Sequence, residues 1–152
     1  MTNWLSLIIA LPTANATERM RAWRALKSSG AAVLRDGVYL LPDNLACRES
    51  LEAVERDVLS SNGTAFLLPI NDPQGQRFIE LFDRSEDYTR LRIEIEACQA
   101  QVNADNALAS TKQVRKLRKA FAQVAAIDFF PAADRQQTDA ALKTLETAIS
   151  RA

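Results

Sequence analysis

The sequence predicts an α+β fold, in which a four-stranded antiparallel sheet with two helices on one face is followed by a helical region. Three observations support this. The first ~70 residues alternate between short apolar runs and amphipathic segments. The dipeptide Asp36-Gly37 separates two of these runs, which is a β-hairpin pattern. After Pro73 the apolar residues recur at steps of three and four, the period of an α-helix.

Six elements are predicted in the first part of the chain. They are a strand at 4–11, a helix from Asn15 or Thr17 to about Ser28, strands at 32–34 and 38–41, a helix at 45–61 and a strand at 64–70. The run Trp4 to Leu11 is almost continuously apolar, which favours a strand covered on both faces. Gly30 is a C-cap for the first helix, and Asp43 is a cap before the second. A type I′ turn is predicted at Asp36-Gly37, because Gly and Asp tolerate positive φ.

This order, β-α-β-β-α-β, is the ferredoxin-like arrangement. The main alternative for the run that begins at Trp4 is a signal peptide, with Ala14-Asn15-Ala16 as the cleavage site. No Lys or Arg precedes the run, and eight residues are too few to span a bilayer, so we expect a strand and no membrane segment.

The second part of the chain is predicted to be helical. One long helix is expected over 77–102, a turn at 103–106, a second helix that forms an antiparallel hairpin with the first, and a last helix over about 132–150. The second helix has Leu108, Val114, Leu117, Phe121 and Val124 on one stripe. The predicted domains are therefore residues 1–73, a ferredoxin-like domain, and residues 74–152, a C-terminal helical extension.

The composition excludes several classes of protein. Apolar residues make up 47% of the 152 residues and charged residues 25%, which is ordinary for a globular domain. The chain has no histidine, the usual general base and metal ligand, and it contains neither GxGxxG nor a P-loop. We expect no enzymatic activity, no metal and no cofactor. The two cysteines, Cys47 and Cys98, have no paired spacing and fit a reducing cytoplasm, with Cys47 predicted as a buried apolar residue.

The net charge is zero, yet four cations crowd the first helix. Met20, Trp23 and Leu26 are predicted as its core stripe. Beside them lies a basic stripe, with Arg19 flanking it: Arg21, Arg24 and Lys27. This stripe is either a solvated helix face or a surface for an anion such as phosphate.

A second basic stripe has the same form. It comprises Lys112, Arg115, Lys116 and Lys119, opposite Val114, Leu117 and Phe121. Three interpretations are open for it: a solvated face, a phosphate contact, or pairing with the acidic run 80–96 in the neighbouring helix or in a second subunit.

Residues 11–43 closely resemble the N-terminal region of ChrB proteins, the transcriptional regulators of bacterial chromate-resistance operons. The matching pieces are Leu11-Pro12-Thr13, Ala16-Thr17, Arg19-Met20-Arg21, Trp23-Arg24-Ala25-Leu26-Lys27, Gly30, and Leu34 through Pro42. The resemblance implies a cytoplasmic DNA-binding repressor that releases its operon on chromate. It also suggests kinship with the ferredoxin-like module of PaaX-type phenylacetate-pathway repressors and of small CRISPR adaptation nucleases. Those nucleases bear a metal-binding aspartate after the first strand, where this chain has Leu11-Pro12-Thr13.

The resemblance implies double-stranded operator DNA as the partner, and we further expect a homodimer. The hypothesis is that Arg21, Arg24 and Lys27 contact phosphate and that Arg19 or Arg35 reaches base edges. ChrB proteins typically continue into a second domain to which chromate sensing is attributed, whereas this sequence ends at Ala152, as a fragment or a stand-alone first half. The main alternative is a non-catalytic dimerisation module without DNA binding, and a less favoured one is a metal-dependent nuclease.

Overall fold

The computed structural model describes residues 3–74 and 76–152 of the chain. It has an α+β fold with a four-stranded antiparallel sheet and five α-helices within these residues. Two compact units are present, and the division falls between Phe82 and Asp83, later in the chain than the boundary drawn from the sequence. The strands are β1 (Asn3–Ala10), β2 (Ala32–Arg35), β3 (Val38–Pro42) and β4 (Thr64–Asn71). The helices are α1 (Ala16–Ser28), α2 (Leu45–Ser60), α3 (Ser85–Gln101), α4 (Ala107–Ala126) and α5 (Ala133–Ser150).

The sheet has the strand order β2-β3-β1-β4, and each neighbouring pair is antiparallel. In the central strand, Leu7 pairs with Tyr39 on one side and with Leu67 on the other. Helix α2 packs on β1 and β4, whereas α1 packs against α2. The order of elements along the first unit is the predicted one.

The central strand β1 is buried on both faces over its first half, whereas the sequence predicted burial along the whole run to Leu11; Ile8 and Ala10 are exposed. Trp4, Leu5 and Leu7 are inaccessible to solvent. The Trp4 ring stacks on Phe82 with 5.5 Å between centroids, and Phe78 meets it edge-on at 5.6 Å. Leu5 and Leu7 point to the opposite face of the sheet, because side chains alternate along a strand.

The single helix predicted over 77–102 is wrong at its start. Ile79–Phe82 is a short 3-10 helix, and α3 begins at Ser85. Asp83 accepts hydrogen bonds from the Ser85 N–H at 2.9 Å and from its hydroxyl at 3.0 Å, which satisfies one of the free N–H groups of the first turn of α3. The helical spacing continues through this break, so periodicity alone did not reveal it.

Two local predictions are also wrong. Among described residues other than glycine only Asn62 has positive φ, so Asp36 does not, and the hairpin turn is not type I′. The pairing of β2 with β3 is irregular between Val33 and Arg35. An irregularity of this kind increases the twist of the strands, which a type I′ turn would otherwise match. The cap of α2 is Asn44, which accepts from the Cys47 N–H at 2.8 Å, while Asp43 pairs with Arg48 at 3.0 Å.

The second unit is a bundle of α3, α4 and α5, so the predicted helical hairpin and terminal helix are both present. Its core consists of Tyr88, Leu91, Ile95, Val114, Leu117, Leu142 and Leu145. The Tyr88 hydroxyl donates a 2.7 Å hydrogen bond to the buried carboxylate of Asp128. Burial, and then this bond, raise the pKa of Tyr88, so the protonated hydroxyl ties α3 to the turn after α4.

Candidate nucleic-acid interface

Helix α1 holds the first basic stripe on the outside of the first unit. Ala22 and Leu26 are its buried residues, and the helix packs through them against α2. The side chain of Asn15 donates a 2.8 Å hydrogen bond to the Ser61 carbonyl, which joins the start of α1 to the end of α2. Its amide therefore links two helices and does not cap α1.

The prediction that Met20 and Trp23 belong to the core is wrong. Met20 is 49% exposed and Trp23 is 42% exposed, whereas Leu26 is buried as predicted. The reason is that α1 packs through the side that carries Ala22, about a third of a turn from the predicted stripe.

The cations of α1 are all exposed to solvent. Arg19, Arg21, Arg24 and Lys27 make no ion pair with any acidic side chain in the described part of the chain. Within the same residues, Arg48 and Arg77 of the first unit do have carboxylate partners. The basic face of α1 is thus a positive surface without ion pairs among the described residues, which is a feature of sites that bind anions.

An open groove of about 660 Å³ runs between α1 and the turn that joins β2 to β3. Arg19, Met20 and Trp23 form the helical wall, and Asp36 and Gly37 form the opposite one. Ile9, Ala10, Leu11, Ala16 and Tyr39 complete the lining. The groove therefore combines apolar walls with one cation and one carboxylate.

Gly37 fixes the distance between the hairpin turn and β1. Its φ is +82°, and its carbonyl accepts a 2.8 Å hydrogen bond from the Ile9 N–H. A Cβ at this position would lie 2.7 Å from the Ile9 carbonyl oxygen, so only glycine permits this approach. Burial, and then the charge of Asp36, raise the pKa of the Tyr39 phenol.

Arg35, the remaining predicted contact of the first unit, is exposed at the end of β2, directly before the turn. It makes no ion pair among the described residues. The structure thus brings Arg19 and the turn that follows Arg35 to one groove. It leaves Arg21, which lies beside Glu18 and Asp57 in a small cleft towards α2, outside that groove.

The second basic stripe is on α4 in the second unit. Its four cations are exposed and make no ion pair in residues 3–74 and 76–152: Lys112, Arg115, Lys116 and Lys119. The cation of α4 that does pair is Arg118, which binds Asp139 at 2.6 Å and also Glu146, both on α5. No described pair joins α4 to the acidic run 80–96, so the interpretation of pairing with the neighbouring helix is not supported.

The remaining chemical groups offer little beyond these surfaces. Cys47 is buried as predicted, and burial raises the pKa of its thiol more than the hydrogen bond with Asn44 lowers it. In the part of the chain that the structure describes, no three Cys, Asp or Glu side chains are grouped to hold a metal ion. None of the helices in that part combines the length and apolarity needed to cross a membrane.

Comparison with known proteins decides the family. The family model of the N-terminal region of protein ChrB matches residues 19–151. This chain belongs to the ChrB N-terminal family. Protein ChrB of Cupriavidus metallidurans is 33% identical over 133 residues, which cover 86% of this chain and 41% of ChrB. The chain therefore spans less than half of the length of this curated relative.

A solved structure shares the fold of this ChrB-family chain. The uncharacterised protein Rv0674 from Mycobacterium tuberculosis superposes with a TM-score of 0.60 at 18% identity, over 99% of this chain and 62% of Rv0674. At this identity the likeness concerns the fold only.

Sequence reasoning missed Met20 and Trp23 as exposed residues that line the groove beside α1. It assigned them to the core because they share a stripe with Leu26. A signal was nevertheless present, since Ala22 and Ala25 lie three residues apart and small residues allow a neighbouring helix to approach closely. Both alanines line the side of α1 that faces α2.

Proposed function

We propose that this chain is the DNA-binding N-terminal region of a chromate-responsive transcriptional regulator that represses a chromate-resistance operon. The observation that carries the proposal is the exposed basic face of α1, which has no ion pair in the part of the chain that the structure describes, in a chain that belongs to the ChrB family. This face lies in the segment that also carries the ChrB resemblance. The chain spans 41% of the curated ChrB relative, and we assign chromate sensing to the part of the regulator outside these residues.

The electrostatics of α1 favour a polyanionic partner. Four cations within nine residues repel one another, and Glu18 is the acid within the same helix. Phosphate groups relieve this repulsion, and the counterions that they release supply most of the affinity of such a contact. Arg21, Arg24 and Lys27 are therefore assigned to phosphates, and Arg19 or Arg35 to base edges.

The basic stripe of α4 supports the same proposal for the second unit. It is defined by Lys112, Arg115, Lys116 and Lys119, which make no ion pair among the described residues, although Arg118 on the same helix pairs with two carboxylates. These four are assigned to non-specific phosphate contacts. The proposal includes the ferredoxin-like arrangement for the first unit, a cytoplasmic location and binding without catalysis. A DNA-degradation assay with and without magnesium or manganese tests the last point.

Fluorescence anisotropy of a labelled promoter-derived duplex, at two salt concentrations and beside a scrambled duplex, tests DNA binding. We expect tight binding that weakens steeply with salt and is stronger for the promoter duplex. The absence of binding to either duplex at low salt would refute the proposal for this chain.

A dimerisation module is the second candidate, and the face of the sheet opposite α2 favours it. Phe66 is 59% exposed and pairs with Ile8 of β1, which is also exposed, and exposed Leu68 follows on the same face. Such adjacent apolar side chains often mark protein contacts. Sedimentation equilibrium of the wild type and of Phe66→Asp tests it: a dimer that dissociates in the variant supports this candidate, and a monomeric wild type opposes it.

A further inference from the structure

The groove beside α1 has a composition that phosphate binding does not explain. Met20 and Trp23 expose almost half of their surfaces in the middle of a basic face. Phosphate binding does not require large exposed apolar side chains of this kind. Both side chains line a concave surface together with Ile9 and Tyr39. A ligand that enters the groove would therefore contact apolar and aromatic atoms from more than one side.

The polar groups of the groove restrict which kind of ligand can bind there. Arg19 lies on the helical wall and Asp36 on the opposite wall, and neither side chain has a hydrogen bond or an ion pair in the described part of the chain. A carboxylate accepts hydrogen bonds from N–H groups and repels phosphate. A ligand of this groove should thus have a flat apolar face, N–H donors on an edge, and an attached anion.

A nucleobase within a DNA strand has these three features. Its ring can stack on an indole, its exocyclic amine can donate to Asp36, and its own phosphate can lie near Arg19. A phosphate alone is repelled by Asp36, and an aliphatic chain would bury that carboxylate without a donor. The volume of about 660 Å³ is within the range of pockets that enclose small molecules.

We propose that the groove between α1 and the β2–β3 turn binds one unstacked base of the DNA held on α1, with Trp23 as the stacking surface. This inference rests on the proposed function, since α1 must first hold DNA. Taking a base out of a duplex costs free energy, and a base that is already unpaired avoids that cost. DNA with one unpaired base should therefore bind more tightly than the matched duplex.

The test compares a matched duplex with the same duplex carrying one unpaired base, by fluorescence anisotropy at one salt concentration. The wild type should prefer the unpaired base by about tenfold, the scale of a single aromatic stack. Trp23→Ala should lose this preference and bind the two duplexes with equal affinity. Trp23→Phe should retain most of the preference. Leu45→Ala, an exposed apolar change on α2, is the matched control and should behave as wild type.

The outcomes separate this inference from the proposed function. Equal affinity of the wild type for the two duplexes, or a preference that survives Trp23→Ala, would overturn the groove assignment and leave phosphate binding standing. No binding to either duplex would overturn the proposed function itself and the inference with it.

Acrylamide quenching of the wild-type protein gives a readout that needs no variant. The chain has two tryptophans and Trp4 is fully buried, so the quenchable emission is that of Trp23. The DNA with the unpaired base should protect this emission more than the matched duplex does. Equal protection would again overturn the groove assignment.

Discussion

The basic faces of α1 and α4 look alike in the sequence and differ in the structure. Each has four exposed cations without an ion pair among the described residues, next to an apolar stripe of helical period. In α4 the middle of that stripe is buried, with Leu117 only 2% exposed although Leu108 at its start is 76% exposed, whereas in α1 Trp23 remains 42% exposed. The difference arises because α4 packs against both α3 and α5, while the main packing partner of α1 among the described elements is α2. A basic face with an exposed aromatic ring can contact bases as well as phosphates.

The sharpest test of this contrast replaces one apolar residue in each helix. Leu117→Ala should destabilise the protein by about 2–5 kcal/mol, because it opens a cavity in a closed core. Trp23→Ala should cost about 1 kcal/mol, because much of the indole already contacts water. Urea denaturation followed by circular dichroism measures both. Equal losses would show that the apolar stripes of the two helices are buried alike.

A second comparison concerns the role of charge in each face. Lys116→Ala/Lys119→Ala should lower the slope of log affinity against log salt by roughly 2, because each phosphate contact contributes roughly 1. The loss should be equal for promoter and scrambled duplexes, because α4 is assigned to phosphates alone. Anisotropy titrations over a range of salt concentrations measure this. A larger loss on the promoter duplex would place base recognition on α4 as well.

The smallest expected effects distinguish Arg118 from Lys119, two neighbouring cations of α4. Arg118→Ala should leave the salt slope unchanged and reduce stability by at most about 1 kcal/mol, because its pairs with Asp139 and Glu146 are partly exposed. Lys119→Ala should lower the slope by roughly 1 and leave stability unchanged. The reverse pattern would contradict the division of α4 into a paired cation and free ones.

The stability that the ion pair of Arg118 and Asp139 provides depends on pH. The hydrogen bonds from Arg118 and then Lys143 hold the pKa of Asp139 below its ordinary value. The stabilisation that Asp139 provides is present above the ordinary carboxyl range and is lost as the pH falls through the lowered pKa. Wild type and Arg118→Ala should therefore converge in stability at acid pH.

The sequence predicted most elements because their signals are local. The short apolar runs, the apolar spacing of three and four, Gly30 and the Asp36-Gly37 hairpin predicted the order of strands and helices correctly. Periodicity could not show which side of α1 meets α2, and so Met20 and Trp23 were misplaced. It also could not distinguish Asn44 from Asp43 as the cap of α2, because both can accept a backbone hydrogen bond and tertiary contacts decide.

The candidate site was partly predictable for the same reason. Arg19, Arg21, Arg24 and Lys27 follow from spacing alone, and the structure shows that they are exposed. The groove is lined by residues distant in sequence, such as Trp23 and Asp36, and no local pattern encodes it.

The central claim is that α1 binds DNA phosphates. The most direct measurement is the salt slope of anisotropy for the wild type and for Arg21→Ala/Arg24→Ala/Lys27→Ala, with helix content checked by circular dichroism. The matched control, Arg56→Ala/Arg90→Ala/Lys143→Ala, removes the same charge from exposed positions elsewhere. Our account predicts a slope lower by roughly 3 for the α1 variant and little change for the control. A promoter affinity and salt slope that persist in the α1 variant would contradict it.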